Sequence, residues 1–237
     1  MKGYAMLILT EDESSDLDII IPISVSVTYN DAEIPELRVS VCKSFKSIGI
    51  EFIQRYEKNP LSYEARSFVI RRLTDIVAGS GFCPDDDYIF TVTKEYILSD
   101  RNKLNKTLIL PQTIVISKSD FKKYENITCF EEDEMQFKHD YFPYFAVSEN
   151  YKIFSVAAVN GTPKNGIAEI SVDTAASYQN KGFASSAVTK AAEYLLLHGY
   201  KVSYVAFSDN PKSAGLAEKC GFTLKSVCFD GVCIKGK

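Results

Sequence analysis

The spacing of apolar and polar positions changes several times along the chain, and each spacing predicts an element. Alternation in DIIIPISVSVTYN, residues 18–30, predicts a strand, with Pro22 marking an edge or a bend. Over residues 37–56 and again over residues 63–77 the apolar positions recur every three or four residues, the helical period. Asn59-Pro60 separates these two helices, and GSGFCPDDD, residues 79–87, ends the second. DYIFTVT (87–93) and KTLILPQTIVIS (106–117) predict strands joined by a short polar segment. Residues 141–173 then break into three apolar strands at Glu149-Asn150 and at residues 160–166, both strong turn signals, and so predict an antiparallel meander. After it come a helix from about Gly182, the strand KVSYVAFSD (201–209), a helix over about residues 211–219 and a closing hairpin TLKSVCFDGVCIK turning at Asp230-Gly231.

Composition narrows the classes of function. With 27 basic against 31 acidic side chains in 237 residues the net charge is −4, so no global field favours nucleic acid, and a small molecule or another protein is the expected partner. The N-terminus MKGYAMLILTEDESSD lacks the apolar core and cleavage pattern of a signal peptide, and no window approaches the roughly 20 apolar residues of a membrane span. A soluble, cytoplasmic protein is the expectation. Six cysteines without a CxxC pair and only two histidines, His139 and His198, argue against a zinc site. The hairpin would set Cys228 and Cys233 opposite each other, within reach of a disulfide, although two reduced cysteines packed on one face explain the pair as well. The acidic run 131–137 reads as a solvated helix face, His198 as a cation at a helix C-terminus, and His139 as structural or exposed.

The stretch SYQNKGFASSAVTKAAEYLL, residues 177–196, carries the chemistry. A helix N-terminus offers unpaired N–H groups and the positive end of the helix dipole, a setting for phosphate or pyrophosphate. Gly182 lets backbone approach such an anion, Ala184 keeps the next turn uncrowded, Gln179 and Asn180 add donors, and Lys181 adds positive charge. The loop is neither a Walker A motif nor the GxGxxG of a dinucleotide fold. Behind it, Val188, Ala191, Ala192, Leu195 and Leu196 have the spacing of any amphipathic core helix, and Phe183 and Phe222 read as core.

Gln179-x-x-Gly182-x-Ala184, placed after IAEISVD and before an Ala-rich helix, resembles the acetyl-CoA loop of the GNAT N-acetyltransferases. Asn210-Pro211-Lys212-Ser213 and LAEKCGF (216–222) resemble that family's second cofactor segment. The resemblance runs from about Tyr141 to the C-terminus and is nearest to members with LAEKxGF and an extra N-terminal region, among them acetyltransferases of the zwittermicin-resistance type. It implies an α+β fold whose C-terminal domain, residues 126–237, has a mixed, mostly antiparallel sheet with flanking helices, preceded by an N-terminal α/β region, residues 1–125. It implies acetyl-CoA as acyl-donor cosubstrate. Pantetheine would lie along the backbone of Val172 and Thr174, the pyrophosphate on the loop formed by Gln179, Asn180, Lys181, Gly182, Phe183, Ala184 and Ser185, and Asn210 and Ser213 would form the other wall. The N–H of Val172 would face the thioester oxygen.

The acceptor amine of a small molecule or peptide would attack the thioester directly, with Glu169 in the position of the general base and Asp173 as second candidate. Many relatives carry a Tyr where Ala217 stands, and that Tyr protonates the departing thiolate; Tyr178, Tyr204, Cys220 or solvent are the substitutes here. A domain that binds CoA without chemistry, and a nucleotide-binding domain using the same helix terminus, are the alternatives. The N-terminal region has no motif tied to chemistry: completing the substrate pocket, forming a homodimer and being a degenerate second acetyltransferase-like half are the roles open to it.

Overall fold

The computed structural model describes residues 7–12, 19–29, 35–129 and 142–235. The acidic run 131–137, His139 and the start of the resemblance at Tyr141 lie outside the described residues. In chain order the elements are β1 (Leu7–Asp12), β2 (Ile19–Thr28), β3 (Glu36–Cys42), α1 (Lys46–Tyr56), α2 (Tyr63–Val77), β4 (Phe82–Pro84), α3 (Asp86–Phe90), β5 (Thr93–Leu98) and β6 (Thr113–Ile116). There follow α4 (Lys118–Phe121), β7 (Glu125–Asn126), β8 (Tyr144–Glu149), β9 (Lys152–Lys164), β10 (Ile167–Thr174), α5 (Phe183–Leu197), β11 (Lys201–Phe207), α6 (Pro211–Cys220) and β12 (Thr223–Lys235). They form two compact units, Met1–Lys94 with Phe207–Asp209 and Lys225–Lys237, and Glu95–Ala206 with Asn210–Leu224.

In the first unit the strands lie in the order β1-β3-β2-β12, with β4 also on β12. β1 runs parallel to β3, and the other pairs are antiparallel. Alternate residues Ile23, Val25 and Val27 of β2 and Leu37, Val39 and Val41 of β3 are fully or almost fully buried. They pack with Ile48 and Phe52 of α1 and Phe68, Val69 and Leu73 of α2. Each such side chain taken out of water contributes about 1.5–3 kcal/mol. α2 starts where Ser62 accepts a hydrogen bond from the Ala65 N–H at 3.1 Å, the N-cap geometry that satisfies one of the helix's free donors.

Three expectations fail in this unit for identifiable reasons. Residues 37–42, expected as helix, are β3, because Leu37, Val39 and Val41 follow the two-residue period and the helical period starts only with α1. The stretch 87–93, expected as strand, is mostly α3; the Ile89 N–H bonds the Asp85 carbonyl, and three adjacent apolar residues cannot distinguish the two periods. The closing hairpin is one strand, β12. Asp230 and Gly231 lie within it, opposite Ser24 and Ile23. Gly231 is there for closeness, since a Cβ on it would come within 2.5 Å of the Ile23 side chain and about 3 Å of Val69 and Leu73. Cys228 and Cys233 therefore do not face each other and form no disulfide. Burial pushes the Cys233 thiol up to about 11.

In the second unit the order is β5-β11-β10-β9-β8-β6, with β7 beside β9. β6, β8, β9 and β10 are antiparallel neighbours, and β11 joins β10 in parallel. This is the mixed, mostly antiparallel sheet expected. The two meander turns are tighter than their sequence signals, Asn150-Tyr151 and Asn165-Gly166, each pair at positive φ as type I′ hairpins require. α5 covers one face: Ala187, Val188, Ala191, Ala192 and Leu195 pack on Phe145, Val147, Ala157, Ala168 and Ile170. Four alanine-or-valine positions bring the helix backbone close to the sheet. The opposite face carries a smaller core around Phe121, Tyr144, Ile153 and Val156.

Neither unit is contiguous in sequence. Glu95–Leu98 and the segment up to residue 125 belong to the second unit, while Lys225–Lys237 return to the first. Tyr96, Leu98 and Leu104, all at least 94% buried, are part of the α5 core. A fragment of residues 126–237 is accordingly expected to show no cooperative thermal transition by circular dichroism, whereas the full chain shows one; a cooperative transition in the fragment would contradict this packing. Gly231→Ala is expected to cost about 1–3 kcal/mol, read as a lower denaturation midpoint, because the added methyl has nowhere to go in a packed core.

Candidate active site

Parallel pairing between β10 and β11 covers only Ile167, Ala168 and Glu169 opposite Lys201, Val202 and Ser203. Beyond Glu169 the strands part, and the side of β10 from Ile170 to Thr174 that would meet β11 is unpaired. At this opening is a cavity of about 560 Å³. Val172, Asp173 and Thr174 line it from β10, Tyr204 from β11, and Lys212, Ser213, Gly215, Leu216 and Lys219 from α6.

The floor is the entry to α5. Asn180 (φ 62) and Gly182 (φ 81) are both left-handed, so the chain reverses twice within three residues before the helix begins. Gly182 is the N-cap and offers no side chain; the first intrahelical bond runs from the Ser186 N–H to its carbonyl at 3.0 Å. The N–H groups of Phe183, Ala184 and Ser185 come ahead of that ladder, and all three residues line the cavity. Ser186 fixes the helix start from behind, accepting from the Leu110 N–H at 2.8 Å and bonding the Thr113 hydroxyl. The other wall is set by Asn210, which caps α6 by accepting the Ser213 N–H at 3.1 Å, with Pro211 as the first helical residue. At the far end of α6, Gly221 (φ 101) is left-handed, and a Cβ there would lie 2.0 Å from the Lys103 carbonyl oxygen, so the glycine of LAEKCGF is required twice over.

The structure gathers Val172, Thr174, Gln179, Asn180, Gly182, Phe183, Ala184, Ser185, Asn210 and Ser213 around one cavity. Lys181 and Glu169 are not among its lining residues. The Lys181 ammonium sits over the Tyr178 ring, 4.5 Å from its centroid, and Tyr178 stacks on Phe154 at 4.2 Å. Glu169 accepts a hydrogen bond from the Asn160 amide at 2.8 Å across the β9–β10 pair, on the sheet face away from α5. Asp173 accepts the Cys129 N–H. Ala217 is fully buried, as is Cys220, whose thiol lies 3.4 Å from the Thr189 hydroxyl and is pushed up by burial. Phe222 is core, whereas Phe183 both packs on the core and lines the cavity. His198 bonds the Tyr194 carbonyl through Nδ1 at 2.7 Å and stacks on the Tyr194 ring, a local arrangement at the end of α5.

Sequence reasoning missed Lys212 and Lys219 as site residues. Their signal is the helical spacing 212, 215–216, 219, which puts two cations and a glycine on one face of α6. Two ammonium groups and a helix N-terminus make the site complementary to a polyanion. Among the described residues no group of three or more His, Cys, Asp or Glu could hold a metal ion, and no helix is long and apolar enough to cross a membrane.

Residues 110–222 match the model of the acetyltransferase (GNAT) family. The match opens ahead of Tyr141, taking in β6 and the segment that Ser186 holds. Among solved structures, a protein assigned to the GNAT family from Novosphingobium aromaticivorans DSM 12444 shares the fold at 16% identity and TM-score 0.50. That likeness covers 62% of this chain and 66% of the other, a little under two thirds of its length. A GCN5-related N-acetyltransferase-like protein from Streptococcus suis 89/1591 aligns at 15% identity and TM-score 0.47 over 90% of this chain and 88% of that one. A GCN5-related N-acetyltransferase from Sphaerobacter thermophilus aligns at 10% identity and TM-score 0.48 over 93% and 82%. No curated protein matches the chain.

Ser186→Ala would leave the Leu110 N–H and the Thr113 hydroxyl without their partner, at a cost of about 1–3 kcal/mol. The expected result is a lower denaturation midpoint together with faster hydrogen exchange at the start of α5; unchanged exchange there would show that Ser186 does not hold the helix entry.

Proposed function

We propose that the protein transfers an acetyl group from acetyl-CoA to a primary amine of a small molecule or peptide, the amine attacking the thioester directly. The observation that carries this is the parting of β10 and β11 into a cavity floored by the start of α5 and flanked by Lys212 and Lys219. An extended chain with amide groups can continue the broken ladder by bonding the free backbone edge at Val172 and Thr174. A pyrophosphate fits the N–H groups from Gln179 to Ser185, and the two lysines of α6 suit a further phosphate. Acetyl-CoA has these parts in this order and supplies an activated acyl group when bound. Asn210 and Ser213 shape the second wall.

In this reading Glu169 takes the amine proton, directly or through water, and the Asn160 amide holds its carboxylate in place. The N–H of Val172 faces the charge that develops on the acyl oxygen. A place among acetyltransferases of the zwittermicin-resistance type belongs to the same proposal and rests on LAEKCGF with an N-terminal extension. A second reading, a domain that binds CoA without chemistry, draws on Glu169 lying outside the cavity lining and on Ala217 offering no donor.

Calorimetric titration of acetyl-CoA and CoA into wild type and Gly182→Glu tests the cofactor site, since an acid there opposes the pyrophosphate by charge and by bulk. Wild type is expected to bind both and the variant to lose at least about tenfold in affinity, roughly 1.4 kcal/mol. Absence of binding by folded wild type would sink both readings. Binding without thiol release across a broad panel of amines would favour the second.

A further inference from the structure

We infer that the Tyr204 hydroxyl is the proton donor to the departing CoA thiolate, an inference that rests on the acetyl-CoA reading above. Tyr204 is the first residue of β11 after the ladder with β10 ends, so it stands at the apex where the strands part. Its ring is buried in the α5 core, edge-on to Phe222 at 6.1 Å, while the residue lines the cavity. Its hydroxyl is 3.0 Å from that of Ser213 on the opposite wall. When Ser213 donates in that pair, the phenol hydrogen is left for a second acceptor.

The apex fixes which side of the acyl group each proton carrier occupies. Glu169 is paired with Ser203 and shares its face of the sheet with Asn160. Tyr204, next along β11, projects to the opposite face, with Ala168 and Ile170. A base and an acid thus flank the apex from opposite sides. The amine nitrogen bonds the carbonyl carbon from the Glu169 side and gives up a proton there. The carbon–sulfur bond breaks, and sulfur leaves with the electron pair and takes the phenol proton. The phenolate regains a proton from solvent, relayed through the Ser213 hydroxyl, while Glu169 releases the amine proton to solvent, so the step is balanced without any further reactant.

The other candidates are placed differently. Tyr178 also lines the cavity, but it follows the end of β10 rather than standing where β10 and β11 part, and its ring is stacked against Phe154 with Lys181 over it. Cys220 is buried between Thr189 and the Ser185 carbonyl and does not line the cavity. Ala217, one turn along α6 from Ser213, has no group to give. Burial pushes the Tyr204 phenol above its ordinary value, with the Ser213 hydrogen bond opposing, so the hydroxyl retains its proton through the neutral range.

The test reads the bound thiol and needs no acceptor. Full-length wild type and Tyr204→Phe are loaded with CoA, and the ultraviolet absorbance of the thiolate is followed with pH against each protein alone. A phenol donating to sulfur stabilises the thiolate. Bound CoA is therefore expected to ionise at a proton concentration at least about tenfold higher in wild type than in Tyr204→Phe, one pKa unit, with CoA bound and an intact thermal transition in both. Equal ionisation in two folded, CoA-binding proteins overturns the assignment and leaves the cofactor site standing. Failure of folded wild type to bind CoA overturns the cofactor reading and the assignment together.

Discussion

Three pairs of residues hold β10 and β11 together, and the organisation of the site depends on the ladder stopping there. A sheet that continued would satisfy its own backbone groups and leave no edge for another molecule. An edge closed off from both water and ligand would cost about 1–3 kcal/mol for each group without a partner. The opening at Glu169 and Ser203 escapes both outcomes by leading into a cavity with polar walls. The loop from Ala175 to Gly182 and the cap at Asn210 hold those walls apart, so the gap is built by the elements on either side of it.

The same apex divides neighbouring residues between the two faces of the sheet. Residues adjacent on a strand point to opposite faces, so one step from Ser203 to Tyr204 passes from the face of Glu169 to the face of α5. Glu169 is steadied by a neighbour on the adjoining strand, and Tyr204 by a neighbour on the facing helix. The two are held by different parts of the fold and can be altered independently. Ala217 belongs to this economy of space: a small residue on α6 goes with a large one on the strand beneath, both within one core.

Much of this was legible in the sequence where a residue type has one physical use. Gly182 before an Ala-rich helix, Asn210-Pro211 before the next and Gly221 after it fix both walls by cap chemistry, and the meander followed from its two turns. Legibility failed where one residue type has two uses. Gly231 reads as a turn beside Asp230, yet it is a flat position under α2, and only the side chains of Ile23, Val69 and Leu73 reveal this. Leu37, Val39 and Val41 were hidden by the helical run that follows them. Lys212 and Lys219 read as surface charge until the cavity gave their face of α6 something to look at. The Asn160 partner of Glu169 depends on a strand register that sequence does not state.

The discontinuous units also bear on how the chain comes to be folded. β2 needs β12 as a neighbour, and β12 follows every other described element in the chain. During synthesis the first sheet therefore waits with one edge of β2 open, and an open edge is a template for pairing with other chains. The pairing that closes it spans nearly the whole sequence, the kind of contact that forms slowly because a long loop must close first. The hazard of misassembly is concentrated in the interval between making β2 and making its partner, so β12 acts as the timer of the first sheet.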